Sequence, residues 1–167
     1  LGYSHNEDRL MEATTRIRPP NYREVFPEMA KVIPEGQDGD WKVEHFSVTK
    51  ERHRYDSAMS TYQGRGWLYA YNYPGTFACL RCGNDHDPVM SDTGMERMTN
   101  MEVYQKAHGL VLIGGLGLGM IPLAIAAKPG VRRVWVVEKN LEVIRLVGPH
   151  LNNPKIRIHQ GDVFEYA

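Results

Sequence analysis

Cysteine is scarce in this chain. Two among 167 residues make no disulfide framework, so a reducing, cytoplasmic setting is expected. An excess of one charge is lacking too: 20 Lys and Arg balance 20 Asp and Glu. A broad nucleic-acid footprint needs a clustered basic excess, so nucleic acid is not an expected partner. Low-complexity tracts and internal repeats are absent. At 42% hydrophobic and 24% charged, the composition is that of a globular protein rather than a disordered one. Asn6-Glu-Asp-Arg9 is polar and charged where a secretory leader needs an apolar core. Residues 110–127 carry no charge over 18 positions, near the length of a membrane span. Four glycines from Gly114 to Gly119, then Pro122, divide that run into strand, turn and helix, so no membrane association is expected.

Three regions differ in texture. Residues 1–40 are polar and dotted with proline, with helical turns predicted around 7–16 and 23–32 and a loop over 35–40. Residues 41–108 read as a small antiparallel β region. A half-buried strand is predicted from Trp41 to Val48 by the alternation of apolar and polar residues. Two β-rich runs, 66–71 and 76–81, flank Asn72-Tyr-Pro-Gly75 and predict a hairpin. Arg52-His-Arg54 reads as a solvated turn, and 83–85 as the turn closing the second run. Thr93 and Glu96 have capping-box spacing. The helix they would open runs to about Ala107, with Met98, Met101, Tyr104 and Ala107 packing from one face.

From Gly109 the rhythm becomes strand, helix, strand, helix, strand. The predicted strands are 110–113, 134–137 and 156–159. The predicted helices are 120–127, with Pro122 in its first turn, and one capped by Asn140 that carries Val143, Ile144 and Val147. Gly148-Pro149 breaks or ends the second helix. Such alternation implies a parallel sheet with right-handed crossovers. The expected fold class is therefore α/β: the first βαβαβ half of a Rossmann-like sheet over 109–167, preceded by the antiparallel region.

The informative chemistry is Ile113-Gly-Gly-Leu-Gly-Leu-Gly119 between a strand and a helix. Glycines let the backbone turn sharply and approach a ligand closely. Glu138 ends the second strand about twenty residues on, where a carboxylate can accept both hydroxyls of a ribose. Asp162 follows the third strand at the same edge of the sheet, where ligands of open α/β sheets bind. Gly115, Gly117 and Gly119 give Gly-x-Gly-x-Gly, not the Gly-x-Gly-x-x-Gly of dinucleotide sites. That spacing disfavours a nicotinamide oxidoreductase.

Val111-Leu-Ile-Gly-Gly-Leu-Gly-Leu-Gly119, Val136-Val-Glu-Lys-Asn140 and Gln160-Gly-Asp-Val-Phe164 resemble the first three motifs of class I S-adenosylmethionine-dependent methyltransferases. The resemblance covers roughly the last 58 residues. It implies that Gly115, Leu116, Gly117 and Gly119 hold the methionine portion of the cofactor. It also implies that Glu138, with Lys139 beside it, holds the ribose, and that Asp162 and Val163 hold the adenine. The Ile-Gly-Gly opening after β-hairpins looks like the spermidine-synthase-like branch, although that branch usually has an aspartate where this chain has Gly117. Many family members also carry an acidic residue at the position of Ile113. Methyl transfer to an unidentified, small-molecule or other acceptor is the expected reaction, and aminopropyl transfer is the alternative. Five residues follow Asp162, so the expected chain is a fragment with the cofactor-binding half of the domain and no identified catalytic residue. Its first parallel strand would lie at a sheet edge, open to self-association or a partner. A non-catalytic fragment assembling through that edge is the competing class.

Other candidates point to structure. Cys79-Leu-Arg-Cys82, near Asp85, His86 and Asp87, lacks the second half of a zinc site. On a strand, positions 79 and 82 face opposite ways, and no metal is expected. Asp92 and Glu96, just before the glycine strand, are candidates for substrate contact or for helix capping. The aromatic set Trp67, Tyr69, Tyr71, Tyr73 and Phe77 reads as rings of a half-buried sheet rather than a base-stacking surface.

Overall fold

A computed structural model describes residues 21–62, 73–83 and 87–165. The helical turn expected at 7–16, the strand expected at 66–71 with its aromatics, and Asp85 and His86 lie outside the described residues.

After helix α1 (Tyr22–Val25) and a 3-10 turn (Met29–Lys31) come strands β1 (Gly36–Asp38) and β2 (Trp41–Val48). They form an antiparallel hairpin, so residues 35–40 are not the loop that their glycines and acids imply. Gly39, with φ of 55°, makes the turn. Strand β2 pairs along its length with β3 (Gly75–Cys82), from Trp41 opposite Cys82 to Val48 opposite Gly75, and β3 pairs with β4 (Met90–Ser91). Between β2 and β3 lies helix α2 (Lys50–Tyr62), which corrects the solvated turn expected at Arg52-His-Arg54. The Thr49 hydroxyl accepts the Arg52 N–H at 3.0 Å. Arg52 also pairs with Asp56 one turn on, at 2.9 Å. Both are local helix signals: a cap and an i,i+4 ion pair.

The helix expected from Thr93 to Ala107 is two helices, α3 (Gly94–Thr99) and α4 (Met101–Lys106). The capping box does not form. Thr93 occupies the N-cap position without a side-chain cap bond, and its hydroxyl instead meets that of Ser91 at 3.1 Å. The break comes at Asn100, whose side chain donates to the Glu96 carbonyl at 2.8 Å while Thr99 donates to the same oxygen. These bonds satisfy a carbonyl at the end of α3, as side chains at helix termini do. Met101, Tyr104 and Ala107 still pack against the core.

The second sheet is parallel, with order β5-β6-β7. Its strands β5 (Gly109–Gly114), β6 (Val131–Glu138) and β7 (Ile156–Gln160) are separated by helices α5 (Met120–Ala126) and α6 (Leu141–Val147). The protein is thus α/β, with a four-stranded antiparallel sheet and a three-stranded parallel sheet that is Rossmann-like in part. One apolar core joins the two: Phe26, Val43 and Leu80 belong to the same buried cluster as Leu118, Val134 and Val143. At the surface Arg145 of α6 pairs with Asp38 of β1, which holds the Asp38 carboxyl below its ordinary range.

Strand β5 is an edge among the described residues. Its Val111 and Ile113 pack against the core, while Leu110 and Leu112, on the other face, are 58% and 56% exposed. That is the period-2 alternation of a strand buried on one side only. No helix among the described residues is long and apolar enough to cross a membrane.

Candidate functional site

Strand β5 ends at Gly114, and the chain turns through Gly115 to Gly119 before α5 begins. The turn is stitched to the next strand: the Gly115 N–H donates to the Val137 carbonyl at 2.8 Å. Two of its glycines are demanded by the backbone and by their neighbours. Gly117 has φ of 50°, and a Cβ there would overlap the Met90 thioether sulfur. Gly119 has φ of 75°, and a Cβ would come within 2.6 Å of the Leu151 side chain. Positive φ is the region in which a side chain is strained. Met90 also receives the Leu118 N–H on its sulfur at 3.5 Å, so β4 bears directly on the glycine turn.

Glu138, at the end of β6, is 6% exposed. Its Oε2 accepts the Leu116 N–H at 2.7 Å, and its Oε1 accepts the Asn140 backbone N–H at 2.8 Å. The Asn140 side-chain amide reaches the same Oε1 at 3.1 Å. Asn140 occupies the N-cap position of α6, as its sequence context predicts. Its side chain makes no cap bond there and turns to the carboxylate instead.

These groups border a cavity of about 420 Å3 between the two sheets. Gly115, Leu116, Gly117 and Glu138 line it on the parallel-sheet side, with Ile121 and Pro122 of α5. Trp41 and Met90 of the antiparallel region and Glu96 of α3 line it as well. Among the described residues Glu96 and Glu138 supply its charged side chains, and no Lys, Arg or His lines it. Burial pushes the Glu96 carboxyl above its ordinary range, and a Ser91 backbone N–H opposes that shift.

The remaining residues of the expected site lie outside this lining. Gly119 packs on Leu151. Lys139 is largely exposed, with its Nζ 3.6 Å from the Asp162 carboxylate. Asp162 itself accepts the Phe164 N–H at 3.0 Å. Val163 lies over Gly114, where a Cβ would come within 3.1 Å of its methyls. The three motifs therefore meet at one end of the sheet, but the cavity draws on the first two.

Of the two acidic candidates ahead of the glycine strand, only Glu96 reaches the cavity. Asp92 is fully buried and accepts the N–H groups of Met29 and Ala78, each at 2.7 Å, and the Arg97 guanidinium at 2.9 Å. Arg97 donates further to the Phe26 and Pro27 carbonyls, both at 3.1 Å. Every contact of Asp92 is internal, so substrate contact by it is overturned: it fastens the N-terminal segment, β3 and α3 together. Sequence reasoning missed Trp41, Met90 and Asn140 as cavity residues. The first two come from the antiparallel region, and no local motif announces them. Cys79 and Cys82 sit on β3, and burial pushes the Cys79 thiol up. Among the described residues no three His, Cys, Asp or Glu side chains are placed to hold a metal ion. No protein-family model matches this chain, and no curated protein matches it.

Proposed function

We propose that this chain binds S-adenosylmethionine and carries the cofactor half of a methyltransferase, with aminopropyl transfer as the competing reaction at the same site. One observation carries the reading: the glycine turn and Glu138 face one cavity whose charged side chains, among the described residues, are both carboxylates. A dinucleotide would bring a doubly negative pyrophosphate into that field, with no cationic side chain among the described lining residues to meet it. A sulfonium ligand brings permanent positive charge, which suits the two carboxylates, on a sulfur flanked by methyl and methylene groups, which suit Met90, Ile121 and Pro122. The volume lies within the roughly 300–1,000 Å3 of small-ligand sites.

On this reading S-adenosylmethionine supplies an already activated alkyl group, and the protein's work is to position it and exclude water. Glu138 accepts the ribose hydroxyls, and its orientation is set beforehand by the N–H groups of Leu116 and Asn140. Such hydrogen bonds to a charged acceptor are stronger than neutral ones. The glycine turn lets backbone approach the methionine portion. Lys139, Asp162 and Val163 border the adenine end in this proposal, and the acceptor enters from the side of the antiparallel region. Self-association along the β5 edge is a second part of the proposal, supported by the exposed Leu110 and Leu112. A cytoplasmic setting accompanies it.

Isothermal titration with S-adenosylmethionine, S-adenosylhomocysteine and NADH tests the reading. Saturable binding of the two adenosyl-sulfur compounds, without NADH binding, is expected. Binding of NADH alone, or of none of the three, overturns it.

A further inference from the structure

The two carboxylates of the cavity are not equivalent. Glu138 already takes three donors, the Leu116 N–H on one oxygen and the Asn140 backbone and side-chain N–H groups on the other, and its remaining capacity is assigned to the ribose in the proposed reading. The Ser91 backbone N–H lowers the Glu96 carboxyl against the effect of burial. An ionised carboxylate offers about four acceptor sites, so Glu96 keeps capacity for a donor arriving through the cavity it lines.

Its placement is also rigid. Glu96 stands on α3 next to Arg97, whose guanidinium is 1% exposed and holds Asp92, Phe26 and Pro27 from beneath. Asn100 and Thr99 tie down the Glu96 carbonyl at the end of the same helix. A carboxylate carried on this tethered backbone and half removed from water bears a desolvation cost, which a cationic partner relieves. The glycine turn across the cavity contains no ionisable side chain between Gly114 and Gly119. Among the described lining side chains, the counter-charge for an ammonium group seated on that turn is a carboxylate of Glu138 or Glu96, and Glu138 is assigned to the ribose.

We propose that Glu96 binds the α-ammonium group of the ligand's amino-acid portion, supplying from α3 the negative charge that the glycine turn lacks. This inference rests on reading the cavity as an S-adenosylmethionine site. It makes Glu96 a binding and specificity residue, one that distinguishes adenosyl-sulfur compounds with an aminoacyl arm from those without it.

The test titrates the wild type and Glu96→Gln with S-adenosylmethionine, S-adenosylhomocysteine and 5′-methylthioadenosine, which has neither the ammonium group nor the sulfonium charge. Glutamine keeps the shape and an acceptor for Ser91 while removing the charge. The expected result is a loss of about tenfold or more for S-adenosylhomocysteine, with methylthioadenosine unchanged, the scale of one hydrogen bond to a charged group. Methylthioadenosine binding thereby reports that the variant is folded. Glu96→Asp, which keeps the charge on a shorter arm, is expected to retain part of the S-adenosylhomocysteine affinity. Equal losses for both compounds, no loss for either, or an aspartate variant no better than the glutamine one overturns the role of Glu96. A wild type that binds none of the three overturns the reading of the cavity itself.

Discussion

The Glu138 Oε2 accepts the backbone N–H of Leu116 at 2.7 Å, across 22 residues of sequence. This bond ties the end of β6 to the glycine turn that follows β5, so the carboxylate shapes the turn as well as facing the cavity. Glu138→Ala leaves the buried Leu116 donor without a partner, at about 1–3 kcal/mol. Glu138→Gln keeps an acceptor and is expected to lose less. Urea unfolding midpoints of the three proteins decide it, and an alanine variant as stable as wild type would remove the structural role.

Met90 and Gly117 are expected to be energetically coupled. Gly117→Ala adds a Cβ at positive φ and against the Met90 sulfur, costing about 1–3 kcal/mol of backbone strain plus the overlap. Met90→Ala removes the overlap but not the strain. The double variant is therefore expected to be more stable than the sum of the single effects by about 0.5 kcal/mol or more, the scale of contacting residues. Strict additivity in a denaturation cycle would show that the two do not press on one another.

The Asp92–Arg97 pair is expected to be intolerant of one-sided change. Both side chains are buried, at 0% and 1% exposure. Asp92→Ala strands the Arg97 charge and is expected to cost about 3–5 kcal/mol. Changing both to apolar residues of similar volume should recover part of that loss. If Asp92→Ala unfolds at the wild-type denaturant concentration, the pair does not fasten the N-terminal segment.

Glu96 imposes a pH dependence on the unliganded protein. Burial raises its carboxyl, so between the ordinary carboxylate range and the raised one the folded chain binds more protons than the unfolded chain. Its contribution is fully present below the ordinary range, and it is lost as pH rises through the raised one. Glu96→Gln removes this slope, so the variant gains on wild type as pH increases across that window. Parallel melting temperatures for the two proteins would contradict it.

Strand β5 is expected to drive association. An apolar strand that is an edge among the described residues is a template for pairing, and Leu112 is 56% exposed on it. Leu112→Lys is expected to shift sedimentation of a concentrated sample toward the monomer. An unchanged distribution would place the contact elsewhere.

Local patterns carried much of the architecture. Alternation identified β2 as Trp41–Val48, and glycine and proline punctuation separated the parallel strands from their helices. The parallel pairing of β5, β6 and β7 followed from their alternation with helices. Helix α2 was legible too, in Thr49 and the Arg52–Asp56 spacing, but two arginines around a histidine read as a turn. The split at Asn100 was not legible. It depends on two side chains competing for one carbonyl, while Thr93 pairs with Ser91 instead of capping.

The sequence by itself determined the glycine turn, the carboxylate at the end of the following strand and the alternation that makes the sheet parallel, because each is a short-range matter of spacing. Only the tertiary structure decided which acidic residue is free. Asp92 and Glu96 lie four positions apart and look alike in sequence. Yet the packing of residues 26–29 against α3 buries Asp92 among internal donors and leaves Glu96 on the cavity wall. The difference arises from contacts across about seventy residues, and no local pattern encodes where a distant segment comes to rest.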